Sequence, residues 1–71
     1  MLFAERLKEV RTSNKVTQKM MAQFLEIQPN AYQMYEYGKR EPNYATLIKL
    51  CTYFNVSSDY LLGLSDNPER R

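Results

Sequence analysis

Apolar residues return along this chain every three or four positions, in five short stretches separated by polar or turn-forming residues. In the first, Phe3, Leu7 and Val10 stand at i, i+4 and i+7 with Glu5, Arg6, Lys8 and Glu9 between them, the pattern of an amphipathic helix. It is expected to end around Thr12 to Asn14, with Asn14 taking a left-handed conformation. Thr17 starts a second helix, since its hydroxyl can accept from a backbone N–H that the first turn leaves without a partner. Met21, Ala22 and Leu25 form the inward stripe, Met20 and Phe24 lie partly covered beside it, and the helix stops near Leu25.

After "EIQ", Pro29 opens a third helix at the position where a missing N–H costs least, and Gly38 closes it. Gln28 contributes little as a cap, so that start rests on the proline. "KREP" is a polar linker in which Pro42 bars a helix. Asn43 caps a fourth helix with Leu47, Leu50, Cys51 and Phe54 on its inner face. Ser57 caps a fifth, with Asp59 in its positive first turn, Leu61 and Leu62 as buried candidates and Gly63 as its end. "SDNPERR" has no apolar period and reads as a solvated tail. The pattern predicts an all-α fold, with one compact five-helix domain over residues 1–64 and a polar C-terminal tail over 65–71.

The third helix separates into two unlike sides. At about 100° per residue, Ala31, Tyr32, Tyr35 and Glu36 gather on one, and Asn30, Gln33, Met34 and Tyr37 on the other. The tyrosines Tyr32 and Tyr35 are the packed residues, and Ala31 is small enough for close approach by the preceding helix. The opposite face carries no charge, where a solvated helix ordinarily carries Lys and Glu. Its carboxamides offer a donor and an acceptor in fixed geometry, which matches the N6/N7 edge of adenine in a major groove. Met34 and Tyr37 add apolar contact. A polar surface of chance composition would look the same on this helix alone.

Its surroundings shift the balance toward the groove-reading face. A short helix, a three-residue turn and a second short helix make a helix-turn-helix, whose second helix enters the groove. Lys39 and Arg40 follow directly after that helix, where they can reach phosphates, and Lys15, Lys19 and the start of the second helix form another cluster suited to phosphate. Residues 1–49 carry eight Lys and Arg against five Asp and Glu, whereas residues 50–71 carry two against three. The net charge of +2 permits nucleic-acid binding without requiring it.

Composition closes other routes. There is no histidine and one cysteine, so the commonest acid–base residue is missing and Cys51 has no histidine to activate it. No phosphate loop, metal-ligand cluster, cofactor motif or effector site is evident. Cys51 lies on the core stripe and reads as a small buried hydrophobe. With no apolar run of membrane length and a first helix unlike a signal peptide, a cytoplasmic chain is expected. A binding module, not an enzyme, is the natural reading.

"TQKMMAQFLEIQPNAYQMYEYGKREPNYATLIKLCTYFNVSSDYLLGL" resembles the DNA-binding domain of the phage repressor and Cro-like (XRE-type) helix-turn-helix family. The resemblance covers Phe3 to Leu64 and is carried by "TQ" with Ala22 beyond it, "YEYGKREP" and "LIKLCTYFNVSSDYLLG". It implies a lambda-repressor-like fold binding pseudo-palindromic double-stranded DNA as a homodimer. Position by position, it implies base reading by Gln28, Pro29, Asn30, Gln33 and Met34. It implies backbone contacts by Gln18, Tyr37, Lys39 and Arg40, with Gln18 also within reach of a base edge, and the cation cluster at the start of the second helix adds Lys19 to the backbone contacts. Arg11 and Glu36 match a pair that joins the first helix to the third, and an uncompensated carboxylate at the edge of that inward face would be costly. Because the family dimerises near its last two helices, Tyr53, Tyr60 and Leu64 become candidates for a self-association surface.

Three positions depart from the family pattern. Glu26 stands in the turn where glycine is common, Pro29 brings no N–H to the groove, and Met34 replaces a polar or basic reader. The expectation is a prokaryotic or phage-encoded transcriptional regulator, a repressor that occludes a promoter. Two alternatives share the fold: an antitoxin or restriction–modification controller protein, and a helical protein-interaction module without base-specific binding.

Overall fold

The structure is a computed structural model that describes residues 2–69; Arg70 and Arg71 of the expected tail lie outside the described residues. It contains α1 (Leu2–Ser13), α2 (Gln18–Leu25), α3 (Pro29–Glu36), α4 (Tyr44–Phe54) and α5 (Ser58–Leu62). Helices this short are marginal in water by themselves, so their stability comes from the shared core. Tyr32, Leu7, Met21, Leu50 and Leu61 are its fully buried large side chains, with Phe3, Val10, Ala22, Leu25, Tyr35, Cys51, Phe54 and Val56 around them. Helices α2 and α3 pack against each other, α1 lies against both α3 and α5, and α4 meets α5.

Local chemistry starts the helices where the sequence predicts. The Thr17 hydroxyl accepts from the Met20 N–H at 3.1 Å, Asn43 Oδ1 from the Thr46 N–H at 2.8 Å, and the Ser57 hydroxyl from the Tyr60 N–H at 3.0 Å. Gln28 makes no such bond, and α3 begins on Pro29.

One device ends each described helix. The residue after the last turn is left-handed (Lys15, Glu26, Gly38, Asn55 and Gly63), which lets the next N–H reach back five residues. The resulting bonds run from Val16 to Arg11, Ile27 to Ala22, Lys39 to Met34, Val56 to Cys51 and Leu64 to Asp59, at 2.8–3.2 Å. Val16, Ile27 and Val56 then turn into the core. At the first stop the left-handed residue is Lys15, not Asn14; the Asn14 side chain instead donates to the Val10 carbonyl at 2.7 Å.

Glu26 is the consequential case, because its φ of 58° sits in the turn that sets α3 against α2. A left-handed L-residue costs about 1–2 kcal/mol, and glycine gives back about 0.4–1 kcal/mol through a freer unfolded chain. Glu26→Gly is therefore expected to stabilise the domain by about 0.5–1 kcal/mol. Urea unfolding should show a higher midpoint at unchanged slope; a lower midpoint would mean that the Glu26 side chain holds the turn.

Two expectations at the C-terminal end need correction. Leu61 is fully buried, but Leu62 is 45% exposed, because so short a helix turns a single face to the core and adjacent residues cannot share it. The start of the tail is bonded to the domain although its side chains stay largely exposed. Arg6 donates to the carbonyls of Tyr60 at 2.7 Å and Ser65 at 2.5 Å and pairs with Asp66 at 2.6 Å. Its guanidinium lies 4.3 Å from the centre of the Tyr60 ring. The Ser57 N–H donates to the Pro68 carbonyl at 2.9 Å.

Candidate nucleic-acid interface

The core reaches the α3 surface through one buried carboxylate. Glu36, at the last turn of α3, has a side chain only 1% exposed. Arg11 of α1 grips it with a two-pronged fork, Nε to Oε2 at 2.6 Å and Nη2 to Oε1 at 3.1 Å, and sends Nη1 to the Val16 carbonyl at 2.8 Å. The Tyr32 hydroxyl donates to Oε2 at 2.5 Å, and Gln18 Nε2 of α2 donates to Oε1 at 3.1 Å. Three helices thus converge on one acceptor. The expected Arg11–Glu36 pairing is present. The Tyr32 bond is an addition to that pair, and the spacing allows it, since Tyr32 and Glu36 stand one turn apart on the same face.

This arrangement governs the ionisation of all three groups. Burial pushes the Glu36 carboxyl up, but donors from Arg11, Tyr32 and Gln18 outweigh it and hold the group below its ordinary 4.5. Burial and the neighbouring carboxylate raise the Tyr32 phenol, and the hydrogen bond to Glu36 raises Arg11 further. A depressed carboxyl contributes stability that is present above the unfolded value and lost as pH falls through the folded one. Thermal stability is therefore expected to decline as pH drops below about 4.5, more steeply for the natural protein than for Glu36→Gln. Parallel acid profiles for the two proteins would remove Glu36 from the transition.

Beyond this anchor, α3 presents an uncharged outer surface. Gln28, Pro29 and Asn30 are exposed at its start, Met34 is 40% exposed and Tyr37 62% exposed beyond its end. Gln33 differs: it is half-buried, and its Nε2 donates to Gln18 Oε1 at 3.2 Å. Lys39 and Arg40 are exposed after α3, with the Arg40 guanidinium 5.8 Å from the Tyr35 ring centre. Lys15 and Lys19 are exposed at either side of the α2 start. The arrangement is an exposed face of hydrogen-bonding and apolar groups, with Lys39 and Arg40 directly after it in the chain.

The three residues considered for self-association have different settings. Tyr53 meets the Phe24 ring at a tilt, 4.6 Å between centres, and the Phe54 ring edge-on at 4.9 Å, Tyr60 lies half-buried under Arg6, and Leu64 is 76% exposed. Tyr44 and Ile48, one turn apart on α4, are exposed by 86% and 64%; neither lies on the apolar stripe expected to face inward. Among the described residues no cluster of three or more His, Cys, Asp or Glu could hold a metal ion, and no helix is long and apolar enough to cross a membrane.

Residues 4–66 match the family described as "Helix-turn-helix domain". The HTH-type transcriptional regulator YqaE of Bacillus subtilis (strain 168) is 49% identical over 66 residues, which are 93% of this chain and 57% of that protein. ImmR, an HTH-type transcriptional regulator of the same organism, is 46% identical over 63 residues, 89% of this chain and 50% of that one. The chain thus spans about half the length of these relatives. Among solved structures, the P22 c2 repressor in complex with the synthetic operator 9T superposes with a TM-score of 0.82 at 28% identity, covering 92% of this chain and 98% of that one.

Proposed function

The chain belongs to the helix-turn-helix domain family of phage repressor and Cro-like type, and from that premise we propose that it is a sequence-specific DNA-binding transcriptional regulator that represses by occluding a promoter. The observation that carries this reading is the uncharged outer face of α3, exposed at Gln28, Pro29, Asn30, Met34 and Tyr37 and bordered by Lys39 and Arg40. A helix with that face fits a major groove, where base edges offer hydrogen bonds and a thymine methyl. Flanking cations and the start of α2 would take phosphates, which position the protein without reading sequence. The likeness to a repressor seated on its operator supports the same docking.

The protein acts as a homodimer on DNA, with two α3 helices in successive major grooves ~34 Å apart. The end of the domain formed by α4 and α5 serves as the contact, where Tyr44, Ile48 and Leu64 are exposed, and Tyr53 and Tyr60 shape its borders. The test is selection from a randomised duplex pool. An inverted repeat should be enriched; a pool left unchanged would replace this reading with a protein-interaction module.

A further inference from the structure

The carboxamides of Gln18 and Gln33 form a directional chain whose direction is set in the core. Glu36 is ionised and fork-bonded to Arg11, so it can only accept. Gln18 must therefore turn its NH2 toward Glu36 Oε1 and its carbonyl away, and that carbonyl receives the NH2 of Gln33. Rotating either amide by half a turn would set acceptor against acceptor, or donor against donor. A glutamine side chain ordinarily presents either edge outward; here one N–H of Gln33 is committed to Gln18, which sets the Gln33 carbonyl oxygen, with the second N–H beside it, away from Gln18.

On the DNA-binding reading proposed above, we infer that this Glu36–Gln18–Gln33 chain is a specificity device: it holds the Gln33 carbonyl toward the base edges. The base it takes there carries an exocyclic amino group. In the major groove adenine and cytosine present such a donor, whereas the corresponding positions of guanine and thymine are acceptors. Gln33 is the contacting residue. Gln18 is a positioning residue for it, in addition to any phosphate it touches with its second N–H, and Glu36 fixes the direction of both.

The same duplex selection, run with wild type, Gln33→Ala and Gln18→Met, tests this. Wild type should prefer adenine or cytosine at one position of each half-site, by about two- to tenfold for a single hydrogen bond. Gln33→Ala should flatten that position. Gln18→Met, near in size but unable to relay the bond, should flatten the same position while preferences elsewhere in the half-site persist. A structural role for Gln18 would instead weaken all positions together. Persistence of the preference in Gln18→Met, a preference for guanine or thymine, or no change in Gln33→Ala overturns the inference while leaving DNA binding intact. A wild-type protein that enriches nothing overturns both. In the DNA-free protein, the side-chain NH2 protons of Gln18 and Gln33 should exchange with water more slowly than those of the exposed Gln23 and Gln28. Equal exchange would overturn the inference independently of any variant's folding.

Discussion

Glu36→Ala is expected to destabilise the domain by about 3–5 kcal/mol, the cost of breaking a buried ion pair by removing one partner. A chain of this size has roughly 4–11 kcal/mol of stability in total at ordinary values per residue, so the loss takes about a quarter or more of it. The reason lies in what stays behind. Glu36 accepts four hydrogen bonds, two from Arg11 and one each from Tyr32 and Gln18. Without it a guanidinium whose side chain is only 11% exposed keeps its charge and loses its counterion. The phenol of the fully buried Tyr32 loses its acceptor as well. Glu36→Gln, which retains an acceptor oxygen but not the charge, should fall between wild type and Glu36→Ala. Replacing both charges, as in Arg11→Met/Glu36→Leu, should recover part of the loss, since paired apolar residues often substitute for a buried ion pair at little cost. Full recovery should also need Tyr32→Phe, because the phenol would otherwise stay buried without a partner at about 1–3 kcal/mol. Urea unfolding monitored by helical signal measures each step. A loss under about 1 kcal/mol for Glu36→Ala, the range of an exposed ion pair, would mean that the pair is screened by water and does not join the helices.

What could be read from the chain and what could not divide along a physical line. Helix starts were legible because a cap is local: Thr17, Asn43 and Ser57 each bond an N–H three residues on. The apolar stripes of α1, α2 and α4 were legible because their spacing is regular, and the Arg11–Glu36 pair because a charge on an inward face demands a partner. Helix ends were less so. Lys15 and Glu26 hold left-handed conformations that their chemistry does not favour; there the approach of Val16 and Ile27 to the core outweighs local preference. The Arg6 contacts were invisible for another reason. Two of its partners are backbone carbonyls more than fifty residues away, and a carbonyl leaves no mark in a sequence.

The α3 face shows the same division within one helix. Its uncharged character could be read from spacing, and so could the exposure of Asn30, Met34 and Tyr37. The half-buried position of Gln33 could not, because it depends on Gln18 meeting it from α2. Two carboxamides of the same face therefore stand in different conditions, Gln33 tethered to Gln18 and Asn30 exposed at the start of the helix. Their substitutions test different things.

Asn30→Ala is expected to weaken operator binding by about 1–3 kcal/mol, roughly 5- to 150-fold, the worth of one bidentate base contact, and to leave binding to random duplex unchanged. Asn30 is exposed, and alanine is the better helix former, so the fold should not suffer and the loss can be assigned to the interface. Lys39→Ala or Arg40→Ala should behave in the opposite way. A phosphate contact carries no sequence information, so its removal should weaken operator and random duplex alike and lower the slope of log affinity against log salt by about one. Titrating both duplexes over a salt series separates the two classes. Equal losses on operator and random DNA for Asn30→Ala, with a reduced salt slope, would move Asn30 from the bases to the backbone. The uncharged face of α3 would then owe its specificity to Gln28, Gln33 and Met34, or to the shape of the DNA it lies in.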